Sequence, residues 1–539
     1  MTDSYIRSIA LVFDKDFCIN MFKKLINMAL KEELKCLINC GYIRVKKLQI
    51  NEEHSSPIFD HEILTVKEKL CNNITDVINF QVGVNSQSLL NPMSYFFKFI
   101  VQWATSGRYE PLPMELRRQI NIKELIQDTK LLQCILELSL STLVLLGQIE
   151  VGFWVRNGVS IGHQAKMYTK YSMREFTYVS DIFNVQLCMC NTDPNDFLVT
   201  YFVRWGLKNW CKGIPMGDYP DEQTTVRIVN EFIILLIRLL TEMKCLIVSS
   251  SVESFDKTLR TEIIHAVSLK QVTYEHIVNS IPEHIVKHAA FDAYLKKYTN
   301  FHKSMDIDET GSFSLKDEYR SDIDPYYYGL TPNRRYELET EIRHYMEKSK
   351  NVSFDDTFVP TKKFADKLQN TLYSDLFSIT SVDCFGLFLK HTLDYIKKFK
   401  CDILLPRTIH LIHIAVVNNI QEFTKIFWHE YELVDTEFYH YHSIGSLLYS
   451  FLLIEEFSTA HGEIRQIFYY LKDNTPHVDI NSYLMEQVES YNEDMLWSSC
   501  TSQKLKDVEF NKKKERARLR KENILRKLAH QQQKFLAKK

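Results

Sequence analysis

Glycine and proline are scarce in this sequence, and their scarcity limits the fold. Only 15 Gly and 13 Pro occur among 539 residues, too few for the many tight turns of a β-sandwich or β-barrel. Long helices need few such residues in their interiors. The apolar share of 45% and the charged share of 25% are ordinary for a globular protein. Because one hydrophobic core seldom organises more than about 300 residues, we predict a mainly α, multi-domain helical scaffold.

Paired cysteines are also missing. None of the 12 cysteines forms a Cys-x-x-Cys pair, and the closest neighbours, Cys36 with Cys40 and Cys188 with Cys190, have no matching Cys or His pair downstream. Zinc-binding sequences show such paired spacing. We therefore predict no metal site, and mostly buried free thiols of the kind found in a reducing compartment. We expect a cytoplasmic protein, with the nucleus as a second location.

Long uninterrupted apolar runs are absent. Charged residues interrupt both of the most apolar stretches, Leu131–Gly147 and Phe232–Val248, and each falls short of the roughly 18 apolar residues that a membrane helix needs. We predict that both are buried core helices. The N-terminus contains Asp3 and Asp14 and has no small-residue cleavage site, so it does not read as a signal peptide.

A His-x-x-His pair, His410 and His413, lies on a predicted apolar helix. A metal pair on a helix usually has i, i+4 spacing or further ligands close by in the sequence. No acid or cysteine flanks these two histidines suitably. We interpret them as core or surface histidines rather than as metal ligands.

The C-terminal segment Lys504–Lys539, here called the basic arm, has a composition unlike the rest of the chain. It carries 14 Lys or Arg against four acidic residues, which leaves 52 basic and 64 acidic residues in the preceding body. Its residues are good helix formers, and its apolar residues fall on one narrow stripe: Ile524, Leu525, Leu528 and Phe535. One interpretation is a solvated helical or disordered tail, and the other is a docking helix for an acidic partner.

Residues 154–198 contain several local polar signals. Asn157-Gly158 is a turn pair that tolerates positive φ. Asp193 followed by Pro194 predicts a helix start, with the aspartate as N-cap and the proline at the first helical position. We also predict one buried polar network, structural rather than catalytic because no nucleophile lies within it, formed by Arg156, Gln164, Asp181 and Gln186.

The sequence pattern of residues 258–328 predicts a winged helix. Apolar spacing indicates two helices in residues 259–282 and a third at 285–298, and the alternating residues 311–316 predict the wing strand. Winged helices often bind nucleic acid, but acidic residues in the wing and the following turn would repel phosphate. They are Asp306, Asp308, Glu309, Asp317, Glu318, Asp322 and Asp324. We therefore predict a structural or protein-binding module.

The stretch from Gly147 to Tyr201 resembles the middle region of the N-recognin (UBR-type) ubiquitin ligases, the proteins that read destabilising N-terminal residues. The matching residues are Trp154, Arg156, Asn157, Gly158, Gln164, Tyr168, Asp181, Gln186, Asp193, Pro194, Asn195, Phe197 and Leu198. The Glu-Ile-Ile-His helix at residues 262–265 and the Asp-Pro-Tyr turn at residues 324–326 match as well. The resemblance is clear over residues 147–328 and again from residue 504.

This resemblance implies a partner for the basic arm. N-recognins place a basic helix before the RING domain, where it contacts the ubiquitin-conjugating enzyme. The implied contact residues are Lys512, Lys513, Lys514, Arg516, Arg518, Arg520, Lys521, Ile524, Leu525, Leu528 and Phe535. The sequence shows neither the Cys/His-rich box that grips an N-degron nor RING ligands. We therefore expect a fragment or truncated relative that is inactive alone and needs no cofactor, since the family's zinc belongs to the missing domains.

Five segments follow from these patterns: an N-terminal helical scaffold at 1–130, a helical core at 131–255, a winged helix at 256–330, a C-terminal helical scaffold at 331–503 and the basic arm. Helices are predicted at 63–80 and from residue 116 to an end at Gly147. The expected partners are a ubiquitin-conjugating enzyme and the remainder of the ligase, with no nucleic acid and no membrane. Two alternatives stay open, a non-enzymatic assembly scaffold and a nucleic-acid-binding regulator.

Overall fold

The computed structural model describes most of the central part of the chain. The described residues are 43–49, 58–63, 65–84, 89–90, 94–95, 97–98, 101–102, 129–154, 158–170, 173–247, 251–268, 271–303, 310–430, 443–488 and 490–497. The predictions for the basic arm, for Arg156 and Asn157, and for most of the first 128 residues fall outside these ranges.

In the described residues from 129 to 247, six helices form the first part of the scaffold: α1 (Thr129–Glu150), α2 (Gly158–Thr169), α3 (Tyr178–Met189), α4 (Pro194–Arg204), α5 (Lys208–Cys211) and α6 (Glu222–Thr241). Helix α1 packs along α3, and α6 contacts both. Every residue of α3 is buried, because other elements cover it all round. Among the described residues, no helix is both long and apolar enough to cross a bilayer.

The start of α4 follows the predicted cap. The Oδ1 atom of Asp193 accepts hydrogen bonds from the backbone N–H groups of Asn195, at 2.9 Å, and Asp196, at 3.3 Å. Pro194 is the first helical residue. The prediction is confirmed.

The helix expected to end at Gly147 continues to Glu150. A Cβ atom at residue 147 would lie 2.5 Å from the Trp205 ring. Glycine is therefore needed here for a close approach between helices, not for a turn.

Two β-hairpins precede the helices. Strand β1 (Ile43–Gln49) pairs with β2 (Ile58–Ile63), and β3 (Thr65–Leu70) pairs with β4 (Asn73–Ile78), both antiparallel. The helix predicted at 63–80 is therefore wrong. Strand β4 packs against α4 and buries Thr75 and Val77, while Ile74 and Asp76, which alternate with them, are exposed. This period of two is the strand pattern.

Residues 251–315 form the predicted winged helix. Its elements are α7 (Ser251–Ala266), β5 (Val272–Thr273), α8 (Tyr274–Ser280), α9 (Glu283–Val286), α10 (Phe291–Tyr298), β6 (Thr299–His302) and β7 (Ser312–Leu315). The sheet order is β5-β7-β6, with both pairings antiparallel. The predicted third helix is two shorter helices, α9 and α10, and α10 packs on α7.

Nine helices complete the C-terminal part: α11 (Pro332–Lys350), α12 (Ala365–Leu368), α13 (Asp383–Phe399), α14 (Leu405–Asn418), α15 (Ile420–Trp428), α16 (Ile444–Leu452), α17 (Ser458–Asn474), α18 (Ile480–Gln487) and α19 (Glu493–Trp497). Short 3₁₀ turns lie at Asp317–Asp322, Phe354–Asp356, Ser374–Ser381 and Glu455–Phe457. Helix α14 lies in the middle and contacts α6, α13, α15 and α17. The described fold is mainly α with an embedded winged helix, as predicted.

Candidate functional site

The Asp-Pro-Tyr turn at residues 324–328 lies where the winged helix meets the scaffold. The side chain of Asp324 accepts a hydrogen bond of 2.8 Å from the backbone N–H of Tyr326, which closes the turn around Pro325. Tyr326, Tyr327 and Tyr328 are all buried. We call this contact region the seam. It consists of the turn together with the residues of α7 and of the scaffold that touch it.

A buried ion pair crosses the seam. The Nη2 atom of Arg174, just before α3, donates to Oε2 of Glu262 on α7 at 2.5 Å and to the hydroxyl oxygen of Tyr327 at 3.1 Å. The guanidinium also lies 5.0 Å from the centre of the Tyr328 ring, close enough for a cation–π contact. Because the guanidinium is paired with the Glu262 carboxylate and also bonded to the Tyr327 hydroxyl, the two buried charges are compensated and join α7 to the scaffold.

His265 is held in one tautomer. Its Nε2 atom receives the backbone N–H of Asp324 at 3.0 Å, so this nitrogen must be the acceptor. Its Nδ1 atom therefore carries the proton and donates to the carbonyl of Thr261 at 2.8 Å. The ring stacks on Tyr327 at 4.1 Å between centroids. Burial lowers the pKa of His265, and with both nitrogens occupied the ring serves packing rather than proton transfer.

A second cation reinforces the seam from the end of α6. Lys244 donates to Glu175 and lies 3.4 Å from the hydroxyl of Tyr328. Burial acts to raise the pKa of Glu175, but Lys244 and Lys98 outweigh it and hold this pKa well below its usual range. The carboxylate is therefore ionised at all ordinary pH values.

A cavity of about 410 Å³ opens beside the seam, between α6, α7 and residues 362–367. Charged side chains of both signs line it, including Glu242, Lys244, Lys257 and Asp322. None of the lining residues is a cysteine or serine that could act as a nucleophile. The geometry fits a packing junction better than an active site.

Trp154 anchors the start of the motif region. Its Nε1 atom donates to Gln148 at 2.9 Å, and Gln148 in turn donates to the hydroxyl of Tyr219 at 3.2 Å. The indole ring covers Gly83, where a Cβ atom would lie 2.1 Å from it. Trp154 therefore ties the end of α1 to the segment that follows β4.

In the structure, the described residues of the predicted polar network do not form one network. Asp181 accepts a 2.6 Å hydrogen bond from Tyr168, whereas Gln186 donates to the carbonyls of Leu239 and Glu242 at 2.8 Å. Gln186 thereby satisfies the C-terminal carbonyls of α6. Gln164 is exposed on α2, which begins at Gly158. These residues make separate structural contacts, and Arg156 is outside the described residues.

Sequence reasoning missed Arg174 and Lys244. The partner of Arg174 lies 88 residues further along the chain, and the partner of Lys244 lies 69 residues before it. Nothing in the local pattern distinguishes either residue from an exposed cation. The contact residues predicted in the basic arm, from Lys512 to Phe535, lie outside the described residues, so they stay predictions.

Two family models match the chain. A UBR1/2/3-like ARM repeat domain matches residues 27–235, and the winged-helix domain of UBR1-like E3 ubiquitin-protein ligases matches residues 258–357. The second match covers most of α7, the Asp-Pro-Tyr turn and all of α11. Together the two matches include both sides of the seam.

Curated relatives agree with the models. E3 ubiquitin-protein ligase UBR2 of Saccharomyces cerevisiae is 53% identical over 537 residues, which is 99% of this chain and 28% of that protein. The ubr1 ligase of Schizosaccharomyces pombe is 28% identical over 46% of this chain and 12% of its own length. Human UBR2 is 24% identical over 54% of this chain and 17% of its own. The chain thus spans little more than a quarter of its relative in S. cerevisiae, and over that span it belongs to the UBR family.

Proposed function

We propose that this chain is the scaffold segment of an E3 ubiquitin ligase of the N-degron pathway, and that its basic arm docks a ubiquitin-conjugating enzyme. Family membership supports the first part, because the relatives carry the name E3 ubiquitin-protein ligase. The charge distribution supports the second part. An arm with 14 basic and four acidic residues follows a body with an excess of acids, so the arm is suited to an acidic surface on another protein.

The observation that carries the scaffold role is the seam. The pair Arg174–Glu262 is fully desolvated and is surrounded by buried tyrosines. Such contacts hold the winged helix and the helical scaffold in one fixed orientation. A rigid body of this kind is what a ligase needs to keep an arm and its bound enzyme at a fixed place.

The surface of the winged helix does not favour nucleic acid. Helix α10 begins with exposed Asp292, and the 3₁₀ turn beside it exposes Asp317 and Glu318. Arg320 within this turn is bonded to Asp317. Arg260 is bonded to Asp322 and lies over the rings of Tyr298 and Tyr319. A phosphate backbone would meet carboxylates here. The module is therefore assigned to protein packing.

The docking test compares the full chain with a body that ends at residue 503. Both proteins are titrated against a panel of ubiquitin-conjugating enzymes by biolayer interferometry. A third chain carries a scrambled arm of the same composition, which keeps the charge but destroys the apolar stripe. We expect one enzyme to bind the full chain at least about tenfold more tightly than either control, because charge and buried anchors both contribute. Equal binding by the 1–503 body would show that the arm is only a tail.

A second assay separates scaffolding from catalysis. The sequence contains no paired Cys/His ligand set for a RING, so the chain should not accelerate polyubiquitin formation when it is mixed with activating enzyme, conjugating enzyme and ubiquitin. Faster polyubiquitin formation than in a reaction without the chain would contradict a purely scaffolding role.

A further inference from the structure

Two histidines and a glutamate converge inside the C-terminal part of the scaffold. His410 and His413 lie one turn apart on α14, and Glu463 reaches them from α17. The Oε1 atom of Glu463 lies 3.0 Å from Nδ1 of His410 and 3.6 Å from Nδ1 of His413. The three side chains are 6%, 4% and 2% exposed. The acid that the sequence around the histidine pair lacks is therefore supplied by a helix 50 residues away.

One donor atom of this cluster has no partner. Nδ1 of His413 makes no hydrogen bond although it is buried, and 3.6 Å is too long for one to Glu463. An unpaired buried polar atom costs free energy and needs an explanation. An imidazole nitrogen that has no hydrogen-bond partner is available to bind a cation.

We propose that His410, His413 and Glu463 bind a zinc ion. Two imidazoles and one carboxylate are ligands that zinc accepts, at distances of about 2.0–2.2 Å. In a tetrahedral site of that size neighbouring ligand atoms lie roughly 3.4 Å apart, and the observed 3.0 and 3.6 Å lie on either side of this value. One ligand atom from each residue lies within 4.8 Å of the others. A water molecule would complete the tetrahedron.

The surroundings show how Glu463 would serve two cations. Nη2 of Arg343 lies 3.8 Å from Oε2 of Glu463, the oxygen that does not face the histidines. Zinc on Oε1 and Arg343 on Oε2 would share one carboxylate, as outer-shell partners of metal ligands commonly do. Because one carboxylate then offsets two cations, Glu463 must stay ionised for zinc to bind.

The site connects to the seam. The ring of His410 stacks on Tyr326 of the Asp-Pro-Tyr turn, with 4.7 Å between centroids and 10° between planes. A metal ion on His410 would therefore fix α14, α17 and the turn relative to one another. The inference rests on these contacts alone and does not depend on the proposed function.

The experiment measures zinc binding by the full chain. The protein is freed of metal with a chelator and titrated with zinc against a chromophoric competitor, and then with cobalt to record the visible bands of a tetrahedral site. The test variant is His413→Ala, which leaves the His410–Glu463 contact and the stacking on Tyr326 in place. The matched control is His276→Ala, on the exposed side of α8. Both variants keep all 12 cysteines, so zinc on thiols affects them equally.

We expect about one zinc per chain in the wild type and in H276A, with at least about tenfold weaker binding in H413A. Circular dichroism checks that H413A is folded. If H413A does not fold, the wild type alone decides, since zinc should raise its unfolding midpoint and cobalt should give tetrahedral bands. Less than about 0.1 zinc per wild-type chain at saturating metal, or equal binding by H413A and the wild type, would overturn the proposal.

Discussion

Arg174 and Glu262 form a 2.5 Å ion pair whose side chains are only 4% and 3% exposed. One residue belongs to the scaffold and the other to the winged helix. Since both charges are almost fully buried, each depends on the other and on the tyrosines around them. The orientation of the winged helix is thus determined by a few buried polar contacts as well as by apolar packing.

Removing one member of this pair should destabilise the protein strongly. Glu262→Ala leaves the guanidinium of Arg174 buried without its carboxylate, at an expected cost of about 3–5 kcal/mol. Arg174→Met combined with Glu262→Ala should cost less than the sum of the two single changes, because no unpaired charge remains. Urea denaturation of the four proteins gives the coupling energy.

The control for this cycle is the exposed pair Lys287–Glu283, whose side chains are each 73% exposed. Lys287→Met should leave the free energy of unfolding unchanged within error, because water screens such pairs. If Glu262→Ala is as mild as Lys287→Met, the ion pair does not hold the seam together.

Asp181→Asn should remove one contribution to the pH dependence of stability. Burial raises the pKa of Asp181 to about 7, whereas the unfolded value is about 4. The native state therefore holds the proton more tightly, and this residue lowers the free energy of unfolding as pH rises from about 4 to about 7. Asparagine still accepts the hydrogen bond from Tyr168 but never ionises. We expect D181N to match the wild type at pH 4 and to be more stable by roughly 2–4 kcal/mol at pH 8.

Urea denaturation at pH 4, 5, 6, 7 and 8 checks this prediction. Asp473→Asn is the control, since Asp473 is exposed and its replacement should not change the slope between pH 5 and 8. Parallel stability curves for D181N and the wild type would mean that Asp181 is ionised in the native state without penalty.

Two glycines should respond in opposite directions to alanine. Gly83 has φ +76°, and a Cβ atom there would lie 2.1 Å from the Trp154 ring, so Gly83→Ala adds backbone strain and displaces the ring. We expect a loss of about 1–3 kcal/mol. Gly162 lies inside α2 with nothing within 4 Å of an added Cβ. Gly162→Ala should therefore gain about 0.5–1 kcal/mol.

Thermal unfolding followed by circular dichroism compares the two variants directly, because both make the same chemical change. Trp154 fluorescence should shift in G83A and stay unchanged in G162A. A G83A protein with the wild-type melting temperature and emission would show that the ring does not rest on residue 83.

The sequence correctly predicted structural features that depend on residues close together in the chain. The N-cap at Asp193 and the proline after it depend on neighbours two or three residues away, and the wing strand follows from alternating residues. The β3–β4 hairpin was missed because Lys and Glu, which are good helix formers, occupy half of β3. In the structure a turn at Cys71, with φ +53°, joins the two strands, and burial alternates along most of β4.

The sequence pattern could not identify contact partners that lie far apart along the chain. Glu463 lies 53 residues from His410 and Glu262 lies 88 residues from Arg174. Periodicity shows that a helix has a buried face, but it does not show which other helix will cover that face. The polar residues of the seam and of the histidine cluster therefore became visible only once the helices were packed.

The basic arm should show separate effects of charge and of apolar anchors on binding kinetics. Arg518→Glu with Arg520→Glu should slow association with the conjugating enzyme because it weakens electrostatic steering. The effect should be largest at low salt, since at physiological ionic strength charges are screened beyond about 8 Å. Leu528→Ala with Phe535→Ala should instead speed dissociation at any salt. The loss of binding free energy should be about 1–3 kcal/mol if both side chains are buried in the complex.

Surface plasmon resonance at two salt concentrations resolves both rates. The matched control reverses two exposed lysines with the same spacing in the body, Lys348→Glu with Lys350→Glu, and changes the net charge equally. It should leave the dissociation rate unchanged and slow association less than the arm variant, because those lysines lie away from the arm in sequence. If the two charge-reversed proteins associate at the same rate, steering depends on the net charge of the chain alone. The basic residues of the arm would then have no specific contact role. An unchanged dissociation rate after loss of Leu528 and Phe535 would show that the stripe is not the anchor.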